Sequence, residues 1–157
     1  MNNNITEFFG AIQSGDKNSI DTFLQQQPEL VNAKDARGFT PLIFATYFDK
    51  KEIVSSLLQY NAPIDATDAS GNTALIGVAF KGNITLAEAL LKKGADVNAQ
   101  NNLGYTPLIF ASMYQQTKMV ALLLKHNADT TLTDKEGKTA LDYAQEKEFT
   151  ALIKLLE

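Results

Sequence analysis

Three residue types recur along this chain at a fixed spacing of 33 residues. The octapeptide GFTPLIFA that begins at Gly38 returns as GYTPLIFA at Gly104, twice that spacing away. The recurring residues are Gly38, Gly71, Gly104 and Gly137, then Thr40, Thr73, Thr106 and Thr139, and then Leu42, Leu75, Leu108 and Leu141. A fixed period of roughly 20 to 50 residues indicates stacked structural units. The sequence therefore predicts a solenoid.

Each copy predicts the same local structure. Asp35 begins a turn in which its side chain can bind its own backbone, and Gly38 supplies a positive φ. Thr40 suits the cap of a helix, and Pro41 suits its first position because the missing N–H has no partner there. We expect a short apolar helix over about 40–48 and, after a break, a second helix over segments such as EIVSSLL.

The second helix of each copy ends at a residue that tolerates the left-handed conformation. These residues are Asn61, Gly94 and Asn127. The asparagine and glycine residues recur at the repeat period, so they predict the same chain reversal in three successive units.

The motifs TPLIFA and KKGADVNAQ resemble the ankyrin repeat, a unit of 33 residues with a turn and two antiparallel helices. The resemblance covers the whole chain and implies an all-α solenoid of stacked helix-turn-helix units with β-hairpin-like loops. It implies a single domain over 1–157. The expected divisions are an N-terminal capping repeat at 1–34, full repeats at 35–67, 68–100 and 101–133, and a C-terminal capping repeat at 134–157.

Two positions depart from the ankyrin pattern. The family's usual histidine after Thr-Pro-Leu is Ile43, Ile76, Ile109 or Asp142 here, so apolar packing is expected to replace its hydrogen bonds. The glycine that the family has between the two helices is present only at Gly15 and Gly82. The equivalent positions of the other copies hold Asp49, Gln115 and Glu148. A left-handed Gln115 costs about 1 kcal/mol. We therefore expect a different or looser turn over 114–117.

The composition of the chain argues against catalysis and metal binding. The chain has no cysteine and one histidine, His126, so thiol nucleophiles and cysteine-based metal sites are excluded, and no catalytic motif surrounds that histidine. Asp65, Asp96 and Asp129 recur at the repeat period and are interpreted as loop residues rather than a metal site. The net charge of -4 disfavours nucleic acid. We expect no enzyme activity, no cofactor and no metal.

The chain shows neither a signal-peptide pattern nor an apolar run long enough to span a membrane. A cytoplasmic monomer is expected, with export by a route that uses no signal peptide left open. The expected partner is a protein of unknown identity, rather than a nucleic acid or a membrane.

The positions that such repeats expose on their turn tips and first helices are rich in aromatic residues. The predicted partner-binding residues are Arg37, Phe39, Tyr47, Phe48, Phe80, Lys81, Leu103, Tyr105, Met113 and Tyr114. Tyrosine, phenylalanine, methionine and arginine are enriched at the cores of interfaces. The remaining aromatic residues, Phe110 among them, are assigned to packing or caps. Two alternatives stay open: a small molecule or peptide bound in the same groove, and self-assembly through the aromatic face.

Overall fold

The computed structural model of this protein describes residues 3–157, which form a row of paired helices. The α-helices are α1 Asn3–Ser14, α2 Lys17–Gln26, α3 Pro41–Tyr47, α4 Lys51–Gln59, α5 Ala74–Lys81, α6 Ile84–Lys92, α7 Pro107–Met113, α8 Thr117–Lys125, α9 Ala140–Glu146 and α10 Thr150–Leu156. A short 3-10 helix, Pro28–Asn32, follows α2. The described residues contain no strand.

The helices stack in two layers. The first helices of successive pairs pack on one another in the order α1, α3, α5, α7 and α9, and the second helices α2, α4, α6, α8 and α10 pack alongside them. Leu75 and Leu108 of the first layer and Leu90 and Leu123 of the second are buried between the layers. Each segment proposed from the repeat period contains one helix pair, and the core runs continuously through them.

The turn tips have the geometry that the sequence predicts. Asp35 Oδ1 accepts hydrogen bonds from the backbone N–H groups of Arg37 and Phe39, both at 2.9 Å. The same pair of bonds closes the tips that begin at Asp68, Asn101 and Asp134. The four tip glycines have φ between 78° and 82°. A polar first residue and a glycine therefore fix each tip without help from distant residues.

The predicted helix caps are also confirmed. The hydroxyl of Thr40 accepts a hydrogen bond from the N–H of Ile43 at 3.2 Å, and the threonines 33, 66 and 99 residues later do the same. The second helices are followed by left-handed residues, Asn61 at φ 58°, Gly94 at 89° and Asn127 at 63°. Local residue chemistry therefore sets where these four first helices begin and where these three second helices end.

The turn between the paired helices corrects one expectation. Gln115 has φ 55°, the same left-handed conformation as Asp49, and the Gln116 N–H bonds to the Ala111 carbonyl at 2.9 Å, as the corresponding N–H groups do in the other turns. The expectation of a looser turn over 114–117 was wrong. Gln116 Nε2 also donates to the Phe80 carbonyl at 2.9 Å. These hydrogen bonds offset the left-handed cost of about 1–2 kcal/mol.

Candidate binding groove

The stacked tips are not all joined by hydrogen bonds. Asn102 N donates to the Ser70 carbonyl, and Lys135 N donates to the Leu103 carbonyl, each at 3.0 Å, so the second, third and fourth tips are joined. Among residues 3–157 no hydrogen bond joins the first tip, 35–39, to the second, 68–72. An open groove of about 600 Å³ lies beside this junction, bounded by these two tips and by α3, α5 and α7.

A glycine in α5, the first helix of the third pair, makes room for the groove. Phe44, Gly77, Phe110 and Tyr143 occupy equivalent positions at the repeat spacing, so three of the four helices carry a ring where α5 carries none. Gly77 is exposed, and a Cβ built on it meets no atom within 4 Å. The absence of an aromatic side chain at Gly77 therefore contributes to the space of the groove.

Three rings form one wall of the groove. Phe80 meets Phe110 edge-on with centroids 5.4 Å apart, and it meets Tyr114 edge-on at 4.6 Å. The Phe110 and Tyr114 rings stack at 5.7 Å with planes 19° apart. Such edge-to-face and stacked pairs hold rings in defined positions. This wall is preorganised, although Phe80 and Tyr114 are both exposed.

Tyr47 and Phe39 line the opposite side. The Tyr47 ring packs edge-on against Phe48 at 5.1 Å, and Phe48 in turn lies against the buried Phe44 at 4.8 Å. The Arg37 guanidinium covers the Phe39 ring at 4.8 Å. Aromatic surface on both sides gives the groove an apolar character.

Three charged side chains reach the groove. Arg37 pairs with Asp35 at 3.1 Å, and Lys81 pairs with Asp49 at 2.8 Å. The hydrogen bond from Lys81 is the main cause that holds the pKa of the Asp49 carboxyl below its usual value of 3.8. The third charged residue, Asp68, makes no ion pair within the part of the chain that the structure describes. The groove thus contains two compensated cations and one uncompensated carboxylate.

Comparison with known proteins places this architecture in a family. A family model described as ankyrin repeats (3 copies) matches residues 8–101 and again residues 76–157. The chain belongs to the ankyrin repeat family. A search of curated proteins found no significant match to this ankyrin domain. Ankyrin repeats generally serve as scaffolds for protein–protein interaction, and the family is typically non-catalytic.

The ankyrin domain brings six of the ten predicted binding residues to the groove. These are Arg37, Phe39, Tyr47, Phe80, Lys81 and Tyr114. Phe48 is half-buried behind Tyr47, and Met113 and Tyr105 are half-buried outside the groove. Leu103 is exposed on the third tip, also outside it. Six of the predicted residues therefore line the groove, and the other four lie next to it or farther along the same face.

Phe110, Gly77 and Asp68 are among the groove residues that were not predicted from the sequence. Phe110, assigned to packing, is only half-buried and lines the groove together with Gly77 of the neighbouring helix. Gly77 itself and Asp68 were not predicted. The alternation of ring, glycine and ring at positions 44, 77 and 110 was the available signal, since a missing side chain is visible only when equivalent positions are compared.

The ankyrin domain shows no metal-binding cluster of histidine and acidic side chains within residues 3–157. Asp96 Oδ1 accepts from the N–H of Asn98 and Asp65 Oδ1 accepts from the N–H of Asp96, so these carboxylates bind loop backbone, as predicted. His126 is exposed at the end of α8. The same residues include no helix long and apolar enough to cross a membrane.

The open space at Gly77 carries a stability prediction. Gly77→Ala is expected to raise the free energy of unfolding by about 0.5–1 kcal/mol, because alanine suits a helix better and its methyl group meets nothing. Chemical denaturation followed by circular dichroism measures the change. Gly10→Ala, at another glycine with open space in a helix, should behave alike. A lower midpoint for Gly77→Ala alone would show that the groove wall is closed there.

Proposed function

We propose that this ankyrin domain is a non-catalytic protein-binding scaffold that holds its partner on the groove and the adjoining tips. The observation that carries the proposal is the exposure of three neighbouring aromatic side chains. Tyr47 is 63% exposed, Tyr114 50% and Phe80 41%. Folded monomers rarely expose adjoining large apolar side chains unless another molecule covers them.

The face is built to bind at a low entropic cost. The Lys81 ammonium donates to the Tyr47 carbonyl, and Lys147 Nζ donates to the Met113 carbonyl at 2.8 Å, so lateral hydrogen bonds fix the ends of the first helices. The rings of Phe80 and Tyr114 hold each other in place. Side chains that are already ordered lose little freedom when a partner covers them.

Tyr47, Phe80, Met113 and Tyr114 are the proposed anchors, with tip residues setting the orientation of the partner. Leu103 and Tyr105 extend the surface along the third tip, and Arg37 and Phe39 form the first. Aromatic anchors at the centre of an interface with polar residues around them are typical of binding hot spots. The charged side chains of the last tip and of α9 fit the polar edge of such an interface.

The groove favours one second candidate, a peptide or small molecule as the whole ligand. Its volume of about 600 Å³ is within the range of ligand pockets. A protein partner should also contact the third tip at Leu103, which lies outside the groove. Loss of binding on Leu103→Ala would favour a protein partner. The affinity for a ligand confined to the groove should be unchanged by this substitution.

Capture from a lysate of the source organism tests the proposed function. The wild-type chain and a Tyr47→Ala/Phe80→Ala/Tyr114→Ala variant, shown to be folded by circular dichroism, serve as bait. A protein that the wild type captures and the variant loses is the expected result. Equal capture by both would place the partner on another surface, and no capture by either would remove the support for a protein partner.

Tyr114→Ala is expected to weaken binding of the captured partner by about 2 kcal/mol, roughly thirty-fold in Kd, because the side chain is exposed and held by two ring contacts. Isothermal titration calorimetry measures the change. Leu155→Ala removes an exposed apolar side chain from α10 and is the matched control. Similar losses for the two variants would contradict a hot spot at Tyr114.

A further inference from the structure

Asp68 differs from the residues that begin the other three tips. Asp35 Oδ2 binds the Arg37 guanidinium at 3.1 Å, and Asp134 Oδ2 accepts from the Tyr143 hydroxyl. Asn101 is uncharged, and its amide donates to Asn72 Oδ1 at 2.9 Å. Asp68 Oδ1 takes the usual two backbone hydrogen bonds, but within residues 3–157 its Oδ2 has no partner. Asp68 is one of the residues that line the groove.

The charges around Asp68 leave it uncompensated. The other charged lining residues are Arg37 and Lys81, and each is neutralised by its own carboxylate, Asp35 or Asp49. An acidic ligand would have to compete with these existing ion pairs. A basic ligand meets a carboxylate that is free to accept a hydrogen bond.

The aromatic rings of this face also fall into two groups, those that a cation of the chain covers and those that none covers. Cations of the chain already lie over several rings of this face, Arg37 over Phe39 at 4.8 Å, Lys81 over Tyr47 at 5.4 Å and Lys147 over Tyr114 at 5.7 Å. Within the described residues no cation covers Phe80 or Phe110, the two rings beside the space that Gly77 leaves. Cations are attracted to the faces of such rings.

We infer that the groove accepts a basic side chain, arginine or lysine, of the protein partner. The free oxygen of Asp68 receives its N–H groups, Phe80 and Phe110 pack against it, and Gly77 provides the room. Arginine suits the site best because its flat guanidinium stacks on rings while donating to a carboxylate. The inference rests on the proposed function and names the chemistry that the partner must present.

Titration of the isotopically labelled chain, residues 1–157, tests the inference by nuclear magnetic resonance. The probe is the blocked tripeptide acetyl-Gly-Arg-Gly-amide, compared with the same tripeptide carrying citrulline, which keeps the shape and loses the charge. The arginine probe should shift the backbone amides of 68–72 and 77–80 saturably within about 20 mM, a range in which small fragments bind. The citrulline probe should bind at least roughly five-fold more weakly.

Two variants locate the binding. Asp68→Asn keeps the tip, since Asn101 Oδ1 makes the same two backbone hydrogen bonds, and should weaken the arginine probe roughly three- to ten-fold. Asp129→Asn makes the same change in net charge in an exposed loop and should leave the affinity unchanged. Gly77→Phe should abolish the shifts by filling the groove, with circular dichroism as the check on folding.

The outcomes are distinct. Saturable shifts in the groove that depend on charge and on Asp68 support the inference. No shift in the groove, equal binding of the citrulline probe, tighter binding of acetyl-Gly-Glu-Gly-amide, or equal weakening by Asp129→Asn would overturn it. Capture of a partner that depends on Tyr47, Phe80 and Tyr114 but not on Asp68 would also overturn it, while leaving the proposed function intact.

Discussion

Replacing Gly104 with alanine is expected to lower the free energy of unfolding by about 2–5 kcal/mol. Gly104 has φ +81°, where a side chain is strained. Its added Cβ would also lie 2.9 Å from the Cα of Asp134 and 3.0 Å from the backbone nitrogen of Lys135. These backbone atoms belong to the next tip, whose hydrogen bond to the Leu103 carbonyl fixes the spacing. The two tips must separate to admit the methyl group.

Gly137→Ala separates the two causes of this loss. Gly137 has φ +78°, but a Cβ there meets nothing within 4 Å, so the variant keeps the strain and lacks the clash. It should lose only about 1–2 kcal/mol. Chemical denaturation followed by circular dichroism measures both variants. Equal losses would show that contact between the third and fourth tips contributes nothing.

Tyr143→Phe is expected to lower the free energy of unfolding by about 1.5–3 kcal/mol near neutral pH. The Tyr143 hydroxyl donates to Asp134 Oδ2, and both side chains are buried. Burial, and then the hydrogen bond to Asp134, raises the pKa of the Tyr143 hydroxyl, so the tyrosine stays the proton donor. Phenylalanine keeps the ring packing but leaves a buried carboxylate oxygen without its partner.

The loss of stability caused by Tyr143→Phe should depend on pH. Burial by itself raises the pKa of the Asp134 carboxyl, but the hydrogen bonds from Tyr143 and from the N–H groups of Lys138 and Glu136 outweigh it and hold the pKa below 3.8. Because the folded pKa is lowered, the stabilisation is present above 3.8 and is lost as the pH falls through the folded value. The deficit of Tyr143→Phe should therefore shrink in acid.

Denaturation at neutral pH and again in acid measures this dependence. Tyr47→Phe is the matched control, because the Tyr47 hydroxyl makes no hydrogen bond in the described part of the chain, and it should change stability by less than about 0.5 kcal/mol. A deficit of Tyr143→Phe that stays constant down to the lowest pH would contradict the account of Asp134.

The features of the fold that the sequence predicted are those set by neighbouring residues. Asp35 and Gly38 form a tip through bonds within four residues, and Thr40 caps its helix through a bond to Ile43. The left-handed Gln115 was misjudged because side-chain preference was weighed without the hydrogen bonds of the finished turn. Those bonds recur in each turn and outweigh the preference.

The groove depends on residues that are far apart in the chain, and it was predicted only in part. Exposure of Tyr47, Phe80 and Tyr114 follows from their positions on the first helices. The space itself depends in part on the absence of a side chain at Gly77 and on the missing bond between the first two tips. Periodicity places residues on a face, but it does not determine the gaps between them.

Hydrogen–deuterium exchange of the complex with the captured partner tests the central claim most directly. We expect protection of the tips at 35–39 and 68–72 and of the exposed ends of α3, α5 and α7, with the second helices unchanged. Protection confined to α4, α6, α8 and α10 would contradict it, because the partner would then lie on the opposite layer from the groove.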